Sequence, residues 1–178
     1  LASRVPCLLS VDTSRPAVMR AAVQAGAGMV NDVRALRLPG AVEAACGLGV
    51  PVCLMHMQGE PMRMQWAPSY GDVVAEVTAF LLDRVAACEA AGMSRELLLV
   101  DPGFGFGKGL GHNLEQLRAL PRLVALGLPL LVGLSRKAMI GALTGRPVGE
   151  RLHGSVALAV YAALQGVAVI RVHDVGTT

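Results

Sequence analysis

Apolar residues along this chain come in short aliphatic runs, each closed by a polar or glycine-rich break, a pattern that suits strands covered on both faces better than half-exposed ones. Six such runs predict buried strands: Cys7 to Val11, Gly28 to Val30, Val52 to Met55, Leu97 to Val100, Leu130 to Gly133, and Val167 to Val172. The punctuation between them is helical. Ser14 with Pro16 opens a helix that Gly26 stops, and Pro39 to Cys46 makes a shorter one ended by Gly47. Asp72 opens the clearest helix, with Val73, Val77, Phe80, Leu81 and Cys88 on one stripe and Gly92 after it. Asn113 with Gln116 reads as a capping box for the next, whose buried face takes Leu114, Leu117 and Leu120 and which Pro121 must kink or divide. The nearly uncharged run Gly154 to Ile170 falls short of the roughly 20 residues a bilayer needs, and it predicts a buried helix leading into the last strand.

Strand and helix alternate throughout as one domain over residues 1–178, without a linker or low-complexity segment. Repeated βα units build either an open doubly wound sheet or a closed (β/α)8 barrel. The strand ends favour the barrel. They carry Asp12, then Asn31 with Asp32, then His56, then Asp101, then Ser135 with Arg136 and Lys137, then Arg171 with His173 and Asp174. Every strand contributes, as in a barrel whose site is built from all the loops on one face; an open sheet gathers its ligand groups at one switch point. A barrel takes eight strands and roughly 250 residues, so two βα units and a closing helix are expected to be missing from these 178 residues.

Composition narrows the function classes. The chain is 53% hydrophobic but 3% aromatic, with a net charge of +3 and no run of five basic residues, so neither the charge stripe nor the stacking residues of a nucleic-acid binder are present. No secretory signal is visible at the start, where Arg4 and Pro6 interrupt any apolar stretch, and no membrane span is expected. Cys7, Cys46, Cys53 and Cys88 show no metal-ligand spacing and read as reduced core thiols of a cytoplasmic protein.

Three motifs carry the chemistry. Leu97 to Lys108, LLLVDPGFGFGK, delivers Asp101 from an apolar strand to a glycine-rich loop. A phosphate-binding P-loop would need Gly where Pro102 stands and Ser or Thr where Gly109 stands, so that comparison fails; the competing readings are a ligand-facing loop and a turn of purely structural use. Arg171 and His173, two apart on a strand, point to one side and make an anion site, although such a pair is also common on plain surfaces. Ser135, Arg136 and Lys137 bring cations to the same rim, or form a solvated basic patch. Asp12 and Asn31 are expected to be buried, where a hydrogen-bonding heterocycle or an internal network would have to satisfy them. His56 reads as a core-edge histidine rather than a metal ligand.

Taken together, SVDTS (Ser10 to Ser14), NDVR (Asn31 to Arg34), PVCLMHMQGEP (Pro51 to Pro61), LLLVDPGFGFGK, LVGLSRKAMIG (Leu131 to Gly141) and IRVHDV (Ile170 to Val175) resemble the dihydropteroate synthase family, in order and across essentially the whole chain. That resemblance implies an α/β fold, a TIM (β/α)8 barrel of which this chain holds strands three to eight. It implies a transferase of folate biosynthesis that joins para-aminobenzoate to 6-hydroxymethyl-7,8-dihydropterin pyrophosphate, releases pyrophosphate, and is the target of competing sulfonamides. Asp12, Asn31, Asp101 and Lys137 would hold the pterin; Phe106, Ser135 and Lys137 would line the aminobenzoate side; Arg171 and His173 would grip the pyrophosphate. Lys137, Asp101 and Arg171 would act in catalysis. The family's Mg²⁺ would sit on an asparagine preceding Leu1, outside these residues, and the complete protein would be a homodimer. Alternatives left open are a pterin-binding methyltransferase of the same superfamily and a non-catalytic pterin-binding fragment. Alone, the chain would leave two strand edges unpaired, which favours aggregation and makes turnover by it doubtful.

Overall fold

A computed structural model describes residues 2–59 and 68–178. Contacts gather the chain into two compact units, the first made of Leu1–His56 with Ala79–Asp101 and the second of Met57–Thr78 with Pro102–Thr178.

In the first unit β1 (Ser10–Asp12), β2 (Met29–Asp32), β3 (Val52–Met55) and β4 (Leu98–Asp101) form a parallel sheet in that order. Helices α1 (Pro16–Gln24) and α2 (Ala41–Cys46) lie between its first three strands, and α3 (Val73–Ala90), which belongs to this unit from Ala79 on, leads to β4. The runs chosen by hydrophobicity are therefore strands, and β3 has the expected bounds. Both faces of β2 and β3 are buried along their whole length, which is why these strands read as unbroken apolar runs.

β1 departs from expectation. It is three residues long rather than five, and Ser10 and Asp12 are exposed. Among the described residues it is hydrogen-bonded to β2 alone, so no strand pairs with its outer edge. Ser14 does not cap α1 either: the residue before that helix is Arg15, with no side-chain cap, and the Ser14 hydroxyl donates instead to Asp32. Asp32, fully buried, also accepts from the backbone N–H of Arg34 (2.8 Å) and Leu36 (2.9 Å). These bonds hold Ala35 and Leu36 in left-handed conformations, φ 51° and 57°, each costing roughly 1 kcal/mol or more for a residue with a side chain. From α3, Arg84 Nε adds a bond to Ala35 O at 2.9 Å.

α3 begins as predicted. Asp72 accepts from the N–H of Val74 and Ala75 (3.0 and 2.9 Å), and Val73, Val77, Leu81 and Cys88 are buried on one stripe, with Phe80 half-buried beside it. Of the four cysteines, Cys53 and Cys88 are core thiols, and burial pushes the Cys88 thiol up. Cys7 is exposed, because the segment before β1 lies open instead of entering the sheet, and Cys46, at the end of α2, is half-buried.

In the second unit β5 (Leu131–Val132) pairs in parallel with β6 (Val169–Ile170). Pro121 does divide its helix, into α4 (Leu110–Arg118) and α5 (Leu120–Val124). α4 starts after Gly109, however, so Asn113 and Gln116 are not a capping box; they are buried within the helix, while Leu114 and Leu117 are half-exposed. α6 (Ala138–Thr144) and α7 (Leu152–Leu164) follow. α7 is only partly buried, with Val160 and Leu164 exposed, and β6 is a short edge rather than a buried six-residue strand. Among the described residues no helix is long and apolar enough to cross a membrane.

Candidate functional site

Three of the expected site residues stand on one face of the four-stranded sheet. Asp12 is paired with Asn31, Asn31 with Cys53 and Cys53 with Leu99, while Asp101 lies opposite Met55. Paired residues of a parallel ladder project alike, and residues two apart on a strand share a face. Asp12, Asn31 and Asp101 therefore project from the same side, each at or next to the carboxyl end of its strand.

Asn31 Nδ2 donates to Asp12 Oδ2 at 2.9 Å. A carboxylate only accepts, so this contact fixes the amide's orientation. Its other atom, Oδ1, is buried and has no hydrogen-bond partner among the described residues, on a side chain 3% exposed. An orphaned buried acceptor costs about 1–3 kcal/mol. With the carboxylate of Asp12 beside it and that of Asp101 on the same face, the set is rich in acceptors and suits a flat ligand edge that presents N–H groups. Asp12 itself is exposed, against expectation, because β1 is an edge strand.

His56, at the end of β3, is buried; its backbone N–H donates to Asp101 O at 2.9 Å and its ring meets Phe80 edge-on, 5.0 Å between centroids. It is a core-edge histidine. Glu60 and Pro61, which close the motif containing it, lie outside the described residues. No group of three or more His, Cys, Asp or Glu among the described residues could hold a metal ion. The magnesium implied by the resemblance is expected on an asparagine preceding Leu1, outside these side chains.

In the second unit the glycine loop after β4 is tightly determined. Gly103, Gly105 and Gly107 take positive φ (68°, 78° and 63°), alternating with Phe104, which is buried, and Phe106, which is half-buried. At Gly107 a side chain has no room, since a Cβ would lie 2.5 Å from Gln58 O; at Gly105 the fit is tight, with a Cβ 3.3 Å from Lys137 Cδ. The Lys137 stem crosses the bare face of Gly105, and its Nζ sits 4.3 Å from the centre of the Phe106 ring. Phe106 and Lys137 are therefore brought together by a cation–π contact.

Ser135 is buried, and its Oγ lies 3.0 Å from His173 Nδ1 and accepts the His173 N–H at 3.3 Å. Arg171 and His173 are not on a strand, since β6 ends at Ile170. The loop that carries them is held by the Arg171 N–H on Val132 O (2.8 Å) and by Ser135. The Arg171 guanidinium lies against Gly133, where a Cβ would meet Nη2 at 3.1 Å. Both side chains are exposed. Arg136, with φ 58°, turns to Asp174 instead and forms a two-pronged ion pair whose guanidinium hydrogen bond holds the Asp174 carboxyl below the usual range.

Sequence reasoning passed over Lys108, Asn113 and Gln116 as site builders. Lys108 is 3% exposed and lies under the loop; Asn113 and Gln116, three apart, share the buried face of α4. Polar residues at the positions a helix buries were the signal for them.

The family model for pterin binding enzymes matches residues 1–173. The chain is similar to the dihydropteroate synthase of Escherichia coli strain K12, 54% identical over 178 residues, which is 100% of this chain and 63% of that protein. Among solved structures, the Yersinia pestis dihydropteroate synthase in complex with a sulfonamide drug superimposes with a TM-score of 0.97 at 52% identity, covering 100% of this chain and 65% of that one. The Xanthomonas albilineans dihydropteroate synthase in complex with 7,8-dihydropteroate gives 0.93 at 54% identity, covering 99% and 64%. The chain thus spans about 63% of the length of the E. coli relative. Its fold, α/β with parallel strands, is a part of the TIM (β/α)8 barrel of these proteins.

Proposed function

Because the chain belongs to the pterin binding enzyme family, matched over residues 1–173, we propose that it carries most of the substrate-holding residues of a dihydropteroate synthase. The reaction joins para-aminobenzoate to 6-hydroxymethyl-7,8-dihydropterin pyrophosphate and releases pyrophosphate. One observation carries this reading: the buried Asn31 Oδ1, without a partner among the described residues, fixed beside the Asp12 carboxylate and on one sheet face with Asp101. That is an acceptor set for a heterocycle edge bearing N–H groups, and a pterin has such an edge.

In the reaction, the bond between the pterin CH₂ and the pyrophosphate oxygen breaks, with its electron pair leaving on the pyrophosphate. The lone pair of the aniline nitrogen forms the new C–N bond, and that nitrogen then loses a proton. No strong base is needed; charge stabilisation and placement are. Asp12, Asn31 and Asp101 orient the pterin, and the carboxylate of Asp101 stabilises positive charge that builds up on it as the leaving group departs. Arg171 and His173, exposed and anchored through Val132 and Ser135, hold the pyrophosphate and offset its growing negative charge. Phe106 offers a ring face to the aminobenzoate, with Ser135 shaping that pocket, and Lys137 serves both substrates. Sulfonamides would compete on the aminobenzoate side, as a sulfonamide is bound in the Yersinia pestis enzyme. A homodimeric, cytoplasmic enzyme is part of the same proposal.

The test is a chimera in which this chain replaces the matching residues of the E. coli relative, 54% identical to it. Pyrophosphate release that requires both substrates is expected. A folded chimera that releases none would overturn the reading.

A further inference from the structure

The chain contains two lysines against fourteen arginines, and both lysines converge on the loop after β4. Lys137 lies over it and Lys108 beneath it. Lys108 Nζ donates to Gly103 O at 3.1 Å and Phe106 O at 3.2 Å, closing the turn from inside. Asn113 completes the clamp from α4: its Oδ1 accepts the Gly105 N–H at 2.8 Å, and its Nδ2 donates to Lys108 O at 3.1 Å and Gly109 O at 2.7 Å. Each of these hydrogen bonds holds backbone of one short loop in place.

What the clamp places is specific. Lys108 grips the carbonyl of Phe106, the residue whose ring meets the Lys137 ammonium. Asn113 grips the N–H of Gly105, the residue across which the Lys137 stem runs. The residue type follows from the geometry. A compact ammonium with three N–H groups reaches two carbonyls of one turn, whereas a planar guanidinium is larger and presents its donors in a flat fork. We propose that Lys108 and Asn113 are positioning residues that set the Phe106 ring and the Lys137 ammonium against each other, so that the aminobenzoate subsite is built before substrate arrives. The link to aminobenzoate rests on the function proposed above; the placement of Lys137 does not.

Two measurements test this. The first uses the chain itself, labelled with ¹³C-lysine, whose spectrum contains only two lysine side chains. Protons over an aromatic face move upfield, so the Lys137 ε-methylene is expected upfield of the ordinary lysine position, and in K108M and N113A it should return towards that position. K108R should behave as K108M does. An upfield Lys137 signal that survives both variants, with the fold intact by circular dichroism, overturns the proposal; N113D, which keeps the acceptor for Gly105, stands in where N113A unfolds. The second uses the chimera. Losing the two hydrogen bonds of Lys108 in K108M, at up to about 1 kcal/mol each, predicts a rise of roughly 5- to 30-fold in KM for para-aminobenzoate, with KM for the pterin pyrophosphate changed by less than about twofold. Equal rises in both KM values, or none, would overturn it. An inactive parent chimera would instead count against the proposed function, and the lysine spectrum would still decide the positioning.

Discussion

Replacing Asn31 with leucine should separate stability from ligand binding. The side chain is 3% exposed, and its Oδ1 has no partner among the described residues. Removing an orphaned buried acceptor returns about 1–3 kcal/mol. The substitution also removes the bond from Nδ2 to Asp12, a charge-assisted contact in the range of about 1.5–3 kcal/mol, but Asp12 is exposed and recovers most of that from water. Leucine keeps the γ-branched shape of asparagine and suits a buried position, but it is larger by roughly two methylene groups, and overpacking costs about 1–3 kcal/mol. The ligand-free chain should therefore change by no more than about 1 kcal/mol in either direction. Pterin binding should fall. It loses an acceptor for a ligand N–H, about 1 kcal/mol, and the alignment of a carboxylate, about 1.5 kcal/mol or more, which together weaken affinity by roughly 70-fold or more. Urea unfolding and calorimetric titration with a pterin, both on Asn31→Leu and the parent chain, measure the two quantities. A variant that loses more than about 1 kcal/mol of stability while binding pterin unchanged would refute the reasoning, because the amide would then be structural.

Three further outcomes are expected. Gly107→Ala should destabilise by at least about 1–2 kcal/mol from the left-handed backbone alone, with its Cβ 2.5 Å from Gln58 O adding to the cost, whereas Gly111→Ala in α4, with open space around it, should stabilise by roughly 0.5–1 kcal/mol; thermal melts in the reverse order would contradict this. Burial first and the charge of Glu76 second push the Tyr70 hydroxyl up from 10.0 to about 12, so its contribution to stability is full below pH 10.0 and is lost as pH rises through about 12. In Tyr161→Phe, which leaves Tyr70 as the only tyrosine of the two, tyrosinate absorbance after a rapid pH jump should have its midpoint near 12; a midpoint at 10.0 would contradict the burial argument. Asp174 is held below its ordinary 3.8 by the Arg136 hydrogen bond, so what it contributes is present above pH 3.8 and disappears as pH falls through its lowered value; in Arg136→Met its carboxyl ¹³C titration should shift upward, and no shift would contradict the pairing.

Much of the first unit was legible because its central strands are buried on both faces: β3 has the expected bounds, and β2 and β4 run one or two residues further, to Asp32 and Asp101. Asp12, Asp32 and Asp101, read as following their runs, are each the last residue of a strand, whereas His56 does follow β3. The outer strands were misjudged for the opposite reason. An apolar run around Leu8 implies burial only when something covers it, and Leu8 is 67% exposed, as are Leu164 and Val160 on α7 in large part. Asn113 and Gln116 fit a capping pattern by spacing, but the helix begins at Leu110, and their amides serve Gly105, Lys108, Gly109 and Pro102. Local spacing cannot report a partner supplied by a loop. Lys137 and Phe106 were both named for the aminobenzoate side, but their direct contact with each other arises from the three left-handed glycines that no motif comparison described.

The central claim is that Asp12, Asn31 and Asp101 form one acceptor face for a pterin. Calorimetric titration of the chain with 6-hydroxymethyl-7,8-dihydropterin pyrophosphate, set against pyrophosphate alone and repeated on Asp101→Ala, measures it most directly. Saturable binding that needs the pterin ring and is lost in Asp101→Ala is the predicted result. A folded chain that binds pyrophosphate and the pterin pyrophosphate equally well, or a pterin affinity untouched by Asp101→Ala, would contradict it.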